Sequence, residues 1–408
     1  MHAKHIVARV LEPCLKELHA KRAAALQRAV LAVVLGGALS LSSIALAMCG
    51  ALGLRHRIKS VDRLLGNRVL EQSRLQIYGA LAQQWLSGLP KVLLVVDWSG
   101  LTPDQRWHWL RASVVVNGRS VTLYEEVHPQ RLYGNREVHR RFLACVDKLL
   151  PAGCVPIVMT DAGFHSTWFK LVEARGWSYV GRIRSRDMVR QADGPWIRCK
   201  ALYAQASENA LDLGRCGYVR SNRTECRLVL IKEEPRGRHR LNIYGKRRVG
   251  RASAKCAAAA REPWLLAAAP ALDHLAAHSI VKLYAQRMTI EESFRDTKNL
   301  RWGQGLQITR SRSRERLQML LLIAHLASFV QRLIGEDAKA RQLELQFSPT
   351  NRTSRPQISV LALARRILAA PSHWLNQLTP WAAIASLTAQ ARQAWALARL
   401  SQLEVDSD

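Results

Sequence analysis

Tyr284, Arg287, Glu291 and Lys298 lie in the stretch YAQRMTIEESFRDTK. Neither Gly nor Pro interrupts it, and Ala285, Gln286, Arg287, Met288 and the Glu291–Glu292 pair are good helix formers, so one helix is expected. At about 100° per residue the four side chains then fall within an arc of roughly 60°. One face presents a phenol, a guanidinium, a carboxylate and an ammonium, with Arg295 close by. A carboxylate set among cations suits a site where a metal ion meets a phosphodiester. The same spacing also suits a solvated face with i,i+4 ion pairs, such as Glu291 with Arg295. Glu292 is rotated by about 100° from Glu291. It is expected to face a neighbouring helix or a cation such as Arg295 or Lys298.

Two further acids follow apolar runs: Asp97 in VLLVVDWS and Asp161 in IVMTDAGF. Together with the spacing Tyr-x2-Arg-x3-Glu-x6-Lys, in this order over about 200 residues, they resemble the bacterial cut-and-paste DDE transposases of the insertion-sequence-four family, whose signature is YREK. The resemblance extends through RASVVVNGRSVTLYEE and GRIR and covers most of the chain. Three carboxylates with no His or Cys cluster suit hard, oxygen-seeking cations, Mg2+ first and Mn2+ as a substitute. Asp97, Asp161 and Glu291 are therefore the expected catalytic and metal-binding residues. Two ions about 4 Å apart would activate a water or a 3′-hydroxyl and stabilise the leaving oxygen. Tyr284, Arg287 and Lys298 would hold phosphates, with Arg295 beside them. The resemblance implies hydrolytic nicking at element ends, hairpin formation and opening, and joining to target DNA. A hairpin forces a base out of the stack, which an aromatic platform would ease. Trp264 stands where the family often has Trp, although core packing would explain it equally well. Met288 stands where some relatives carry another aromatic.

The elements that must position these residues can be read around them. The run before Asp97 reads as a strand buried on both faces, ending on the acid. WHWLRASVVV and RSVTLYEEV flank Asn117-Gly118, a hairpin with a type I′ turn. Residues 137–150 form an amphipathic helix ended by Pro151 and Gly153. VPIVMTD is a second buried strand, FHSTWFKLVEARG a helix with Gly176 past its end, and WSYVGRIR a further strand. Strand, hairpin, helix, strand, helix, strand is the order of an RNase H-like fold, so the class expected is α/β, a mixed sheet with helices on both faces. There the first and fourth strands are neighbours, and acids at their carboxyl ends meet. Residues 185–262 interrupt the pattern; the resemblance implies a β-rich insertion, with a solvated loop over 235–258 as the alternative. PWLLAAAP re-enters the core as a short strand. LRWGQGLQITRSRSRER is apt for gripping phosphates. MLLLIAHLASFVQRL is an apolar helix too short to span a bilayer. From about 338 the chain is helical again, with a loop at Ser348–Pro356.

Residues 1–88 look helical. A helix through LKELHAKRAAALQRAVLAVVL breaks at Gly36-Gly37, and Ser40 or Ser42 caps a second, LSSIALAM. Gly50 and Gly53 turn the chain into a basic helix, RHRIKSVDRLLGN. That is a helix-turn-helix arrangement with Arg55, Arg57, Lys59 and Arg63 toward the duplex, or else a helical bundle with a basic rim. Three stretches result: 1–88, a DNA-binding region; 89–335, the catalytic domain; 336–408, a helical region for dimerisation or DNA contact.

Lys and Arg number 61 against 31 Asp and Glu, a formal charge of +30 over 408 residues. Such an excess calls for an anionic partner, most commonly nucleic acid. The expected partners are double-stranded DNA, as element ends and target, and a second copy of the chain. Residues 29–54 carry no charge and would reach across a bilayer, but Gly36-Gly37, Ser40, Ser42 and Ser43 favour two short buried helices. No membrane contact is expected, and the location is cytoplasmic. Eight scattered cysteines, none at zinc spacing, fit a reduced compartment. The rival function is a regulator that binds DNA through the same basic surface without cutting it.

Overall fold

The structure, a computed structural model, describes residues 2–184, 187–232, 250, 262–347 and 358–399. Apolar residues at three- and four-residue spacing put the first 88 residues into six helices: α1 (Ala3–Leu15), α2 (Ala20–Val34), α3 (Leu41–Ala47), α4 (Leu54–Leu65), α5 (Arg68–Gln72) and α6 (Arg74–Leu86). The single helix expected over 15–35 is instead the end of α1 and the whole of α2. Between them the chain turns, and the His19 ring accepts the Lys21 N–H at 3.3 Å to cap α2. Each helix then buries its own stripe, Ile6, Val10 and Leu11 on α1 and Leu26, Val30 and Val33 on α2. The break at Gly36-Gly37 has a steric cause. Gly36 sits at φ 105°, and a Cβ on Gly37 would fall 2.8 Å from the Ala32 carbonyl oxygen. Ser40 caps α3 through the Ser43 N–H.

Strand β1 (Lys91–Gly100) follows, then β2 (Trp107–Val116), β3 (Arg119–Pro129), α7 (Arg136–Leu149), β4 (Val155–Thr160), α8 (Ser166–Glu173) and β5 (Ser178–Ile183). This is the expected element order. Val116 pairs with Arg119 across Asn117-Gly118, but only Gly118 takes positive φ, 63°, so the turn is not type I′, which needs both central residues there. Next come β6 (Met188–Gln191), β7 (Ile197–Arg198), β8 (Leu211–Tyr218), β9 (Thr224–Ile231), β10 (Trp264–Ala268) and α9 (Ala277–Ala285). The remaining helices are α10 (Met288–Lys298), α11 (Arg314–Ala340), α12 (Glu344–Phe347), α13 (Val360–Ala369), α14 (His373–Asn376) and α15 (Ala383–Arg399).

The chain packs as two compact units. One holds the residues up to Val155 together with Met288–Ala394; the other holds Pro156–Arg287 and the chain from Trp395. The first thus combines the N-terminal helices, the β1–β3 meander and most of the C-terminal helices, and so runs across the sequence boundaries at 88 and 335. In it β1 pairs antiparallel with β2, and β2 with β3. The Val155 N–H at the start of β4 donates to the Pro90 carbonyl at 3.0 Å. In the second unit β4 and β5 are parallel, and β5, β10, β9, β8, β6 and β7 follow as antiparallel neighbours. The β-rich insertion therefore extends this sheet through β10. The Arg-rich run from Arg236 to Lys255, the loop proposed over 235–258 and the loop at Ser348–Pro356 lie outside the described residues.

Helix α11 is longer than the apolar stretch expected from sequence. At 27 residues it is long and apolar enough to cross a membrane by length and composition, yet nearly all of its apolar window is buried in the protein. Helix α13 approaches so closely that a side chain at Gly335 would collide with the Val360 carbonyl.

Of the four buried histidines of the first unit, His108, His128, His139 and His325, two have strongly lowered pKa values. His325 stacks on Tyr78 with ring centroids 4.8 Å apart, and His139 accepts the Trp98 indole N–H at 3.0 Å. Burial pulls His325 down to about 3 and His139 down to about 4, in each case helped by a neighbouring cation or imidazole. The unfolded chain binds a proton at each near pH 6.5 while the folded chain does not. Stability is therefore full above pH 6.5 and falls as pH drops toward those lower values. Between pH 7 and pH 5 each group should cost about 2 kcal/mol. In denaturant titrations at the two pH values, His325→Phe should shrink the wild-type loss by roughly that amount; an unchanged loss would show that His325 does not titrate on unfolding.

Candidate active site

In the first unit the site begins with β1. Val92 to Val96 are fully buried, and Asp97 follows at 9% exposure. The strand runs on to Gly100 rather than ending at the acid, and Asp97 stands opposite Arg111 of β2. Asp97 Oδ1 accepts the Trp98 N–H at 2.8 Å.

Helix α10 carries Glu291 and Lys298. The expected single helix over 284–298 does not form. Helix α9 ends at Ala285, Gln286 and Arg287 make a turn, and α10 starts at Met288. At the join the Gln286 and Arg287 N–H groups bond back three residues, to Leu283 and Tyr284 at 3.1 and 2.9 Å, which tightens the chain out of the α-helical ladder. The four-residue arc is therefore divided: Tyr284 and Arg287 belong to one unit, Glu291 and Lys298 to the other.

Three hydrogen-bonding side chains hold α10 to the β1–β3 meander, beside an Arg119–Asp296 ion pair at 3.7 Å. Ser120 donates to the Thr289 carbonyl at 3.3 Å. Arg111 donates to Ser293 Oγ at 2.6 Å and to Thr297 Oγ1 at 3.4 Å. Lys298 Nζ donates to Ser99 Oγ and to the Gly100 carbonyl, both at 2.6 Å. Phe294 packs edge-on against Trp109, with centroids 4.9 Å apart. Burial and then Arg111 pull Lys298 down to about 8, opposed by Asp97. Lys298, expected to hold a phosphate, thus latches the end of the strand that bears Asp97. Glu291 is half-buried. Glu292 pairs with Arg295 at 2.9 Å, as its rotation on the helix led one to expect, and Arg295 is 63% exposed.

In the second unit Asp161 follows β4 directly, and its Oδ1 accepts the Gly163 N–H at 2.8 Å. Tyr284 is buried, which raises its pKa; Arg287 and Arg182 oppose the rise and Asp161 adds to it. Trp264, half-buried on β10, sets its ring edge-on to Tyr284 at 5.0 Å and 74°. Arg182 donates to the carbonyls of Glu262 and Pro263, just ahead of Trp264, at 3.2 Å each. At the N-terminus Lys59 and Arg63 are exposed, whereas the half-buried Arg57 donates to the Met48 carbonyl at 2.5 Å and closes the end of α3. Among the described residues no group of three or more His, Cys, Asp or Glu stands together as a metal cluster. The expected set draws on both units and offers oxygen donors only.

Sequence reasoning passed over the residues that hold α10. Glu125 on β3 is fully buried; its Oε2 accepts Arg111 Nε and Trp109 Nε1, each at 2.8 Å, and its Oε1 accepts the Tyr78 hydroxyl at 2.9 Å. Arg74 adds a bond to the Glu125 carbonyl at 2.7 Å. The available signal was an Arg inside the apolar strand WHWLRASVVV and a Glu pair inside VTLYEEV. Removing one partner strands a buried charge, so Arg111→Leu should cost about 3–5 kcal/mol in denaturant unfolding. Arg111→Leu combined with Glu125→Leu should cost clearly less than the sum of the singles. Additive losses would remove the coupling.

A family profile described as a transposase DDE domain matches residues 88–329, more than half of the chain. The match begins just before β1, takes in Asp97, Asp161, Trp264, Tyr284, Arg287, Glu291 and Lys298, and ends within α11. Comparison with curated proteins found no match. The chain belongs to the DDE transposase family, whose members act on DNA, cleave it and generally use divalent metal ions.

Proposed function

We propose that the chain excises an insertion sequence and joins it to target DNA, by nicking, hairpin formation, hairpin opening and strand transfer in the manner of the insertion-sequence-four group. The observation that supports this most directly is the tie between Asp97's strand and Glu291's helix. Arg111, register-paired with Asp97, donates to Ser293 two residues past Glu291, while Lys298 grips Ser99 and Gly100 two and three residues past Asp97. A regulator that only binds DNA has no need of a carboxylate helix locked to a carboxylate strand.

Asp97, Asp161 and Glu291 would hold the divalent ion, Mg2+ or Mn2+, since carboxylate oxygens are the donors such ions take. When bound, the ion supplies charge for activating a water or 3′-hydroxyl and for the leaving oxygen. The protein's own part is orientation. Arg111 and Ser120 keep α10 against the meander, which fixes the direction from which Glu291 approaches. Arg287, Lys298 and Arg295 meet the strand's phosphates, with the buried Tyr284 behind Arg287, and Trp264 offers its face to an unstacked base. Lys59 and Arg63, with Arg57 behind them, give the N-terminal region its duplex contact. Two copies of the chain pair the two element ends, and the protein works in the cytoplasm on the nucleoid.

Asp97→Asn, Asp161→Asn and Glu291→Gln should each lower single-turnover nicking of an end-containing duplex by at least about 100-fold, with gel-shift binding retained. Glu292→Gln, which loses only the Arg295 pair, should stay within about threefold, as befits an exposed pair. An active Glu291→Gln beside an inactive Glu292→Gln would overturn the assignment.

A further inference from the structure

In the second unit, the loop that follows Asp161 carries another titratable group. His165, four residues on, stands at the N-cap of α8, where its side chain makes no cap bond. Ser, Thr, Asp or Asn would satisfy that position, and an imidazolium lies at the wrong end of the helix dipole. The ring turns instead to Asp187, just ahead of β6, with Nδ1 3.7 Å from Oδ2. That carboxylate is fixed from behind. The hydroxyl of the fully buried Tyr218 on β8 donates to the same oxygen at 2.7 Å. The Cys199 N–H donates to the Asp187 carbonyl at 2.9 Å, and the Asp187 N–H to the Arg184 carbonyl at 3.0 Å. Asn222 Nδ2 holds the first turn of α8 by donating to Ser166 Oγ and Thr167 Oγ1 at 3.0 and 3.1 Å, and Lys170 of the same helix is turned to Asn222 at 2.7 Å. His165 itself is 58% exposed. Asp187 holds its imidazolium above the ordinary range, partial burial opposes that, and Asp161 adds to the rise. Burial raises the Asp187 carboxyl, but His165 and Tyr218 outweigh it and leave the group below its usual range. Burial pushes the Cys199 thiol up to about 12, so it stays neutral behind Asp187. An exposed imidazole oriented through one nitrogen by a held carboxylate is the arrangement of an acid–base group.

The cleavage proposed above leaves one proton unassigned. A 3′-oxygen expelled from phosphorus is strongly basic and needs a proton as it departs. Arg287 keeps its protons at any working pH, and Tyr284, which also feels Asp161, is buried with a raised pKa. His165 is the exposed group near Asp161 whose proton is mobile around neutral pH. We infer that His165 is the general acid for nicking, giving its Nε2 proton to the leaving 3′-oxygen, with Asp187 and Tyr218 as positioning residues. In that step the water oxygen bonds to phosphorus, and the P–O3′ bond breaks with its electron pair on the 3′-oxygen. That oxygen takes the Nε2 proton, and the attacking water's surplus proton goes to solvent. The imidazole keeps its Nδ1 proton beside Asp187 until solvent returns the other. The products are a 3′-hydroxyl and a 5′-phosphate. The inference rests on the cleavage reading, since a chain that only binds DNA has no leaving oxygen to protonate.

The test uses the full chain and two readouts. With carbon-13-labelled histidine, the His165 ring signal, identified by its loss in His165→Gln, should titrate above about pH 6.5. Asp187→Asn should move that midpoint down. Single-turnover nicking of an end-containing duplex is then followed from about pH 6 to about pH 9. For the wild type, log rate should rise as the attacking water loses its proton, then flatten above the His165 midpoint, where each gain in hydroxide is matched by loss of imidazolium. His165→Gln should be slower by about 100-fold below that midpoint and should rise without flattening. Asp187→Asn should flatten at lower pH, by the displacement its ring signal shows. Both variants should keep gel-shift binding. A merely structural role would lower the rate uniformly and leave the break in place. A His165→Gln chain that keeps the wild-type flattening, at whatever rate, therefore overturns the inference. So does a wild type that never flattens, or an Asp187→Asn chain whose ring signal has not moved. A wild-type chain that binds the duplex but nicks at no pH removes the cleavage reading and the donor with it. Nicking in which only the His165 arm fails leaves that reading standing.

Discussion

A carboxylate with no exposure at all, Glu125, sets the terms for the first unit. An ion pair taken out of water must recover its hydration from well-aligned partners. Glu125 does so with Arg111, Trp109 and Tyr78, two donors from the neighbouring strand β2 and one from α6. Arg111 has donors left over and spends them on Ser293 and Thr297 of α10. Its guanidinium also lies over the Trp109 ring at 3.9 Å. One planar cation thereby joins a hairpin, an N-terminal helix by way of Glu125, and the helix that bears Glu291. Hydrophobic packing alone would let α10 slide along the sheet with little change in buried area. Directional bonds from a fixed fork restrict it to one register.

The break between α9 and α10 gives the signature a different physical meaning from the one its spacing implies. On a continuous helix, Tyr284, Arg287, Glu291 and Lys298 would share a face and move together. With a turn at Gln286–Arg287, the phenol and guanidinium are set by Trp264, Arg182 and the second unit's sheet. The carboxylate and ammonium are set by Arg111, Ser99 and Gly100. The motif is a sequence neighbourhood whose two halves are positioned by separate cores.

Much of the architecture was legible. Val92–Val96, the two flanks of Asn117-Gly118, the 137–150 stripe and VPIVMT each carry a period or an apolar run that only one element satisfies, and all formed where expected. The break at Gly36-Gly37 was equally plain. What escaped was anything decided by partners distant in sequence. No local propensity separates α9 from α10, because AQRM, which spans the join, is good helix throughout. The turn type at Asn117-Gly118 depends on a dihedral that the pair of residues permits without dictating. Arg57 looks like any cation of a basic helix until the carbonyls at the end of α3 come within its reach. Arg111 and Glu125 were visible only as charges out of place, with nothing in either strand to say that they answer each other.

Lys298 brings a consequence for how a nucleic acid strand would arrive. Its ammonium has three protons, and two already point at Ser99 and Gly100. A phosphate that recruits this lysine either takes the third direction, leaving the latch shut, or draws the ammonium away and unpins the last residues of β1. In the second case strand capture and the stiffness of the Asp97 segment are linked by partner exchange: the lysine latch holds that acid taut, and an incoming anion slackens it.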